Sequence, residues 1–445
     1  GNILPFLYFD KFGDYPPVVP MYISGAATFL FGMTVFGARF SVALFGALLV
    51  FPLYWVGRNI FSDKKYALIA AGLITVFPWH IILSRASSEG IIGLTVFCTG
   101  LGFLFHGIRA KENRSIFLAI LFFLCTYLLY PAFRIVVPLF LISLPVLFPS
   151  KAYRNILLAV VLLSVILTIG ISMTVWGRGR FSQTSVFADA NIAREIQKRD
   201  EAFANDEGPQ DIVLARIFHN KVVGYGREVV HQYLQYFSPQ FLFFGYQIPL
   251  RYGVPEGGLL FFTFLVFLFT ALFPSIKKGA VDADMYRIIL LLLILAPIPS
   301  SLTREDSPNI HRSILMIPPL VICLTYGYTR LQEFLGTVPK FVRYGVYGAV
   351  GIGVVLESVI FIHQYARHTA SYKSYFRSDG NAELARYLVA HKNEYDTIYM
   401  PPFHFLPVYY LYFSGNVSGA LAGKFYDTLY VKSLEGIQFI EEDCP

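Results

Sequence analysis

The sequence predicts an all-α polytopic membrane protein with about ten transmembrane helices, a re-entrant or juxtamembrane helix, and a small, truncated α/β domain at its C-terminal end. Three observations lead there. Charged residues make up only 15% of the 445 residues, against roughly 25% in a soluble domain, while hydrophobic ones make up 55% and the mean hydropathy is +0.55. Apolar runs recur at or near the ~20 residues that a helix needs to cross the hydrocarbon. The basic residues between those runs sort to one side, as cytoplasmic loops require. The same sorting explains the net charge of +7 without a nucleic-acid partner.

The runs of spanning or near-spanning length lie at 40–61, 64–84, 90–108, 115–130, 133–149, 154–176, 258–276, 286–302, 312–330 and 344–364. A further run, 17–36, follows Pro16 and Pro17, contains Pro20, and ends at Gly32 and Gly37. Charge decides its reading. With 17–36 not crossing, the short loops on one side hold Arg58, Lys64, Lys65, Arg109, Lys111, Arg114, Lys151, Arg154, Lys277, Lys278, Arg287, Arg330, Lys340 and Arg343. The other side holds Arg39, Arg85, Arg134, Arg304 and Arg312. The first side is therefore read as cytoplasmic, and 17–36 as interfacial or re-entrant.

The opening loop 1–16, the segments at 85–89 and 131–134, the long loop 177–257, the segment 296–319 and the tail from 365 then all face outward. The long loop far exceeds an ordinary connection, and such loops commonly carry function. Its DANIAREIQKRDEAFANDEG portion reads as a charged helix, and HQYLQYFSPQFLFFGYQ as an aromatic stretch of the headgroup layer. In the tail, SDGNAELARYLVAHK reads as a helix capped by Ser378 or Asp379, and YDTIYM as a strand. Cys98, Cys125 and Cys323 lie in apolar runs and Cys444 is next to last, so all four read as free thiols. The chain opens in a polar-aromatic loop with no initial Met and no signal peptide, and reads as one with a segment missing upstream.

No GxxxxGK[ST] loop, GxGxxG turn, HExxH pair or CxxC pair is present. What remains is a set of polar groups at the outward edge. SRASSEG puts Arg85 and Glu89 four residues apart, on one face if helical. YLLYPAFR brings Tyr130 and Arg134 around Pro131, and FDKFGDYPP supplies Asp10, Asp14 and Tyr15. APIPSSLTREDSPNIHRSILMIPP, a polar island between apolar runs, supplies Arg304, His311 and Arg312. Its Pro and Ser content breaks the helix, and the freed backbone groups need protein or water, so the island reads as one wall of a polar pocket. Each charge alone reads equally well as a loop residue that reaches water. Arg85, Arg134 and Arg312 together abut apolar runs on the side where cations are disfavoured, and guanidinium forks bind phosphate oxygens. Tyr15, Tyr130 and the aromatics at 233–246 could stack on a sugar or isoprenoid, although interfacial anchoring is the commoner role. Glu256 in GVPEGG is a second carboxylate, more often a loop-edge charge.

In their order, FGDYPPVVPMY, LFGMTVFGARFSVALFGALLVFPLYWVGR, FPWHIILSRASSEG, YLLYPAFRIVVPL, YFSPQFLFFGYQIPLRYGVPEGGLL and LAPIPSSLTREDSPNIHRSILMIPP resemble the GT-C class of membrane glycosyltransferases. More narrowly they resemble bacterial members of glycosyltransferase family 39, relatives of protein O-mannosyltransferases and of lipid A aminoarabinose transferase. The resemblance runs through about residues 1–330. Together with the topology and tail composition above, it divides the chain into a GT-C-like transmembrane domain over 1–367, with an outer loop and juxtamembrane helix in 1–39, and an incomplete extracytoplasmic α/β domain over 368–445. It implies transfer of a sugar from a polyprenyl-phosphate donor to a protein, lipid or glycan acceptor on the outer face of a bacterial-type plasma membrane. The family's usual base is an acidic residue in the first outer loop, within a segment this sequence does not contain. Asp14, in the same loop, and Glu89 are then the candidate catalytic carboxylates. Tyr15, Arg85, Tyr130, Arg134, Arg304, His311 and Arg312 are the candidate substrate-binding residues. No nucleotide cofactor is implied, and a divalent metal is compatible with the carboxylates. A flippase or transporter of lipid-linked oligosaccharide, an O-antigen polymerase or ligase, and a scaffold with a degenerate site are the alternatives. A transporter would show related halves and midplane breaks, neither of which is legible here.

Overall fold

An apolar chain without water must satisfy its backbone within helices, and the computed structural model is built that way. It describes residues 16–86, 88–147, 151–174, 185–207, 213, 217–245, 249–274, 279–303, 306–369, 371–372, 374–377, 380–401, 405–415 and 431–440. The segment 17–36 forms a short helix, α1 (Val19–Phe31), that turns at Gly32 (φ 77°) and runs back against α2 (Val35–Leu48). At 13 residues, α1 is about 20 Å long, too short to cross a bilayer. Ser41 Oγ donates to the Ile23 carbonyl at 3.0 Å and ties the two helices together. α3 (Val50–Ile60) continues α2 through Leu49, whose backbone is helical, so that the two form one 26-residue stretch.

The predicted span 64–84 is broken. α4 (Lys64–Thr75) and α5 (Pro78–Arg85) meet at 53°, because Pro78 can only start a helix and Phe77 before it is extended. α6 (Gly90–Ala110), α7 (Asn113–Cys125), α8 (Phe133–Leu147) and α9 (Lys151–Met173) follow the predicted runs. The long loop contributes α10 (Ala190–Glu207), α11 (Lys221–Gln235) and α12 (Pro239–Phe243).

The run 258–276 yields only α13 (Phe264–Ala271). Its first residues form a strap whose Leu259 and Leu260 N–H groups donate to the Leu242 carbonyl at 2.9 Å, and whose Leu259 carbonyl accepts from the Trp79 N–H. α14 (Ala283–Leu295) and the single turn α15 (Ile298–Ser301) precede the island, and α16 (Ile317–Leu335) and α17 (Lys340–His363) follow it. Among the described residues, five helical stretches are long and apolar enough to span, two of them the joined pairs α2–α3 and α14–α15, or six with the bent α4–α5 pair counted as one. Four more are apolar but shorter.

Glu357 lies inside α17, where an isolated charge would be costly. Its carboxylate accepts from the N–H groups of Phe262 (2.7 Å) and Thr263 (3.0 Å) just ahead of α13. Helix starts hold anions in this way, so the charge is satisfied without water.

The tail forms α18 (Ser374–Arg377), α19 (Asn381–His391) and α20 (Leu406–Ser414) with a three-stranded sheet of order β1-β3-β2. β1 (Ile398–Met400) pairs parallel with β3 (Ile437–Phe439), and β2 (Ser433–Leu434) pairs antiparallel with β3. The N-cap of α19 is Gly380 (φ 87°), which makes no side-chain cap bond, rather than the expected Ser378 or Asp379, which lie outside the described residues. Tyr412 Oη donates to the Thr34 carbonyl at 2.8 Å, so this unit touches the start of α2. Cys98, Cys125 and Cys323 are free thiols; Cys444 lies outside the described residues.

Candidate active site at the broken helix ends

The island is irregular because its sequence leaves few regular options. Pro297 and Pro299 limit α15 to one turn, and Pro308 follows before Asn309 restarts local order. The Asn309 side chain accepts from the N–H groups of His311 (2.9 Å) and Arg312 (3.0 Å), the geometry of an Asx turn. Ser313 Oγ donates to the Asn309 carbonyl at 2.7 Å, and Trp79 Nε1 to the Ile310 carbonyl at 2.9 Å. Ser300, Ser301, Asn309 and Ser313 are all buried, so this broken backbone is enclosed by protein and does not face lipid.

The aromatic stretch of the long loop supplies the enclosure. Tyr236 is fully buried, its phenol bonded to Ser300 Oγ and accepting from the Asn309 N–H at 2.9 Å. Phe241 and Phe243 are buried beside it, and Phe241 meets Trp79 edge-on at 5.4 Å. These are core residues and not the headgroup anchors that composition suggests; Phe237 and Phe244 remain exposed. Burial pushes the Tyr236 phenol up, so it stays protonated. Tyr236→Phe should lower the stability of the folded chain by about 1–3 kcal/mol, since it strands the buried Asn309 N–H. Thermal unfolding in detergent reads this directly, and an unchanged midpoint would dissociate Tyr236 from the fold of the island.

His311 stands at the centre of what these elements position. Its imidazole lies against Tyr130 (centroids 4.6 Å apart, 31° between planes) and Tyr252 (6.2 Å, 67°). Gly90, the first residue of α6, makes room for the ring: a Cβ there would stand 3.1 Å from Nε2. Glu89 caps α6, and its Oε2 lies 3.9 Å from His311 Nε2. Arg251 packs over Tyr252 at 5.0 Å. Desolvation works against the charge on Arg251, but Tyr252 together with the negative Asp306 and Glu89 holds its pKa above the ordinary arginine value. Burial raises the Tyr252 phenol, and Arg251 offsets part of that rise. The site thus gathers Glu89, Asp306, Arg251, Tyr252, His311 and Tyr130 around one point. Arg312 is anchored next to it by a bond from Nη1 to Thr303 Oγ1 at 2.8 Å.

Of the sequence candidates, the structure brings Glu89, Tyr130 and His311 together, while the Arg312 side chain is held at Thr303. Arg85 and Glu89 do not share a helix face, because α5 ends at Arg85 and Glu89 begins the next helix. The Arg85 guanidinium sits 5.1 Å above the ring of Tyr365, in the π-helical turn Gln364–His368 at the end of α17. Arg134 is buried, and its Nε and Nη2 donate to the Tyr127 carbonyl at 2.9 and 2.8 Å. Asp14, Tyr15 and Arg304 lie outside the described residues. Glu256 occupies an exposed turn with φ 54°. Arg251 and Tyr252 were missed. The signal was an Arg-Tyr pair held between Pro249 and Pro255 where the long loop re-enters the apolar region. Among the described residues, no three His, Cys, Asp or Glu side chains converge as a metal-binding set.

No family model matches the sequence, and no curated protein matches it. Among solved structures, the chain is similar to ArnT from Cupriavidus metallidurans bound to undecaprenyl phosphate. The identity is 14% over 94% of this chain and 81% of that one, with a TM-score of 0.49. It is similar also to ArnT from the same organism in the apo state, with 14% identity over 91% of this chain and 74% of that one and a TM-score of 0.48.

Proposed function

We propose that the chain is an integral-membrane glycosyltransferase that moves a sugar from a polyprenyl-phosphate donor to an acceptor hydroxyl or amine on the outer side of the membrane. The observation that carries this reading is the Glu89 carboxylate 3.9 Å from His311, between Tyr130 and Tyr252, with guanidinium groups alongside. A carboxylate at a pocket edge can take the proton of an attacking hydroxyl. Cations beside it stabilise the charge that grows on the leaving phosphate as the glycosidic bond breaks, so their contribution lies in the transition state. In this reading Glu89 is the base, with Asp14 as the other candidate. Arg312, Arg251 and His311 hold the phosphate, and Tyr130 and Tyr252 face the sugar. Arg304 and Tyr15 are retained as substrate-binding candidates on the sequence alone. Arg85 and Arg134 are assigned to the donor's lipid-proximal side or to holding the helix ends.

The sequence resemblance favours the same chemistry, and the enclosed broken backbone fits a donor whose charged end must leave bulk lipid. The direct test is a transfer assay: purified chain, polyprenyl-phosphate pentose or hexose, and acceptor lipids, peptides or glycans supplied in turn. The expected result is transfer to one acceptor class. Movement of the lipid-linked sugar across vesicles without transfer would replace this reading with a flippase.

Sidedness has its own test. A cysteine at Glu256 should react with an impermeant maleimide in intact cells, and one at Asp63 only after permeabilisation, since both side chains are exposed at opposite ends of the bundle. The reverse pattern would place the site on the cytoplasmic face.

A further inference from the structure

α6 begins beside His311 and ends 21 residues later, roughly 30 Å away, at the cation-rich end of the bundle. There α3 and α6 line an open hollow of about 410 Å³ formed by Trp55, Arg58, Asn59, His106, Arg109 and Ala110. The proposed transfer uses none of these residues.

We propose that this cavity binds the phosphate headgroup of an anionic membrane lipid. Among the described residues, neither the Arg58 nor the Arg109 guanidinium has a hydrogen-bond or ion-pair partner. Each carries five donors in a planar fork that matches phosphate oxygens. The carboxylate beside His106, Glu112, accepts from Ser115 Oγ at 2.6 Å and lies 3.7 Å from His106 Nε2, and among the described residues it makes no ion pair with either guanidinium. Asn59 is buried, with Nδ2 donating to the Trp55 carbonyl at 2.9 Å, which fixes its position in the wall.

The approach to the cavity is apolar, and this points to a lipid and not to a free anion. Leu48 and Phe51 are exposed on the turns of α2 and α3 before Trp55, in line with it at helical spacing. The Trp55 indole packs edge-on against Phe103 at 4.7 Å and lies 6.1 Å from His106. Gly102 permits this, since a Cβ there would overlap the indole. An acyl chain can therefore run along Leu48 and Phe51 while its phosphate reaches the arginines, with the Trp55 indole between the two, an amphipathic ring of the kind that favours the headgroup layer. Basic pockets between spanning helices are a known means of headgroup recognition.

The test uses the full chain in zwitterionic detergent, equilibrated separately with dioleoylphosphatidylglycerol, dioleoylphosphatidylcholine or inorganic phosphate, with retained ligand counted by native mass spectrometry. The wild type should retain the phosphatidylglycerol and not the phosphatidylcholine. The Arg58→Gln/Arg109→Gln variant should hold it roughly 30-fold more weakly, given the usual contribution of each basic residue near a membrane surface. The Arg58→Lys/Arg109→Lys variant should keep most of the binding. Equal retention by the wild type and the Gln variant, or of both lipids by the wild type, overturns the proposal. Retention of inorganic phosphate without lipid overturns the lipid as ligand. Should the Gln variant fail to fold, phosphatidylglycerol brominated near the headgroup end of its acyl chains should quench the tryptophan fluorescence of the wild type more than that of a Trp55→Phe chain. Equal quenching of the two chains is then the contrary result.

Discussion

Glu89→Gln should leave a folded chain whose sugar transfer falls by about 10²–10⁴-fold, the usual contribution of a positioned general base. The substitution keeps the shape of the side chain and removes its ability to take a proton. Glu89 begins α6 but makes no side-chain cap bond there, so its carboxylate is not what holds the helix start. Its Oε2 faces the imidazole of His311 and is partly open to solvent, as a group that meets an incoming acceptor must be. Steady-state rates for wild type and variant decide the matter. A rate within about twofold of wild type would take Glu89 out of the chemistry and leave Asp306, beside Arg251, and Asp14 as the carboxylates to test next.

Gly327→Val should be the most damaging single change to the fold. α13 crosses α16 so closely that a Cβ at Gly327 would overlap the carbonyl oxygen of Phe267, and Thr270 Oγ1 already donates to the Gly327 carbonyl at 2.8 Å. The obstructing atom is backbone, so no rotamer change relieves the overlap, and α16 is enclosed on nearly all sides. Overpacking in an interior ordinarily costs about 1–3 kcal/mol, and here the two helices must also separate. The valine variant should fail to accumulate as a monodisperse species. The alanine variant should unfold at clearly lower temperature than the wild type. Gly345→Ala, at a position on α17 where an added Cβ meets no neighbouring atom within 4 Å, is the control and should be neutral. Equal stability of the Gly327→Ala and Gly345→Ala chains would mean that α13 and α16 do not cross here.

The helical architecture was legible because apolar runs and helix breakers act locally. Pro16, Pro17 and Gly32 bound a helix too short to cross, and the Pro-Ser-Asn content of 296–319 forces an irregular, enclosed segment. What escaped the sequence was tertiary. Pro78 sits inside an apolar run, and hydropathy alone does not register the 53° bend that it starts. The strap at 258–262 looks like the opening of a span, but its N–H groups go to Leu242 and to Glu357, 95 residues further along the chain.

The site was legible in part for the same reason. His311 and Arg312 announce themselves as charges between apolar runs. Arg85 and Glu89 suggested one helix face, but the chain breaks between them and sends Arg85 toward Tyr365. Arg251 and Tyr252 became site residues only because the long loop folds back over the island.

The account rests on the claim that the broken helix ends form the seat of a polyprenyl phosphate. The most direct measurement is the affinity of polyprenyl phosphate for the wild type and for Arg312→Ala, both in the Arg58→Gln/Arg109→Gln background so that the cavity at the other end does not contribute. A bond to a charged donor is commonly worth about 1.5–3 kcal/mol, so the variant should bind about 10–150-fold more weakly. Equal affinity in two equally folded chains would contradict the account.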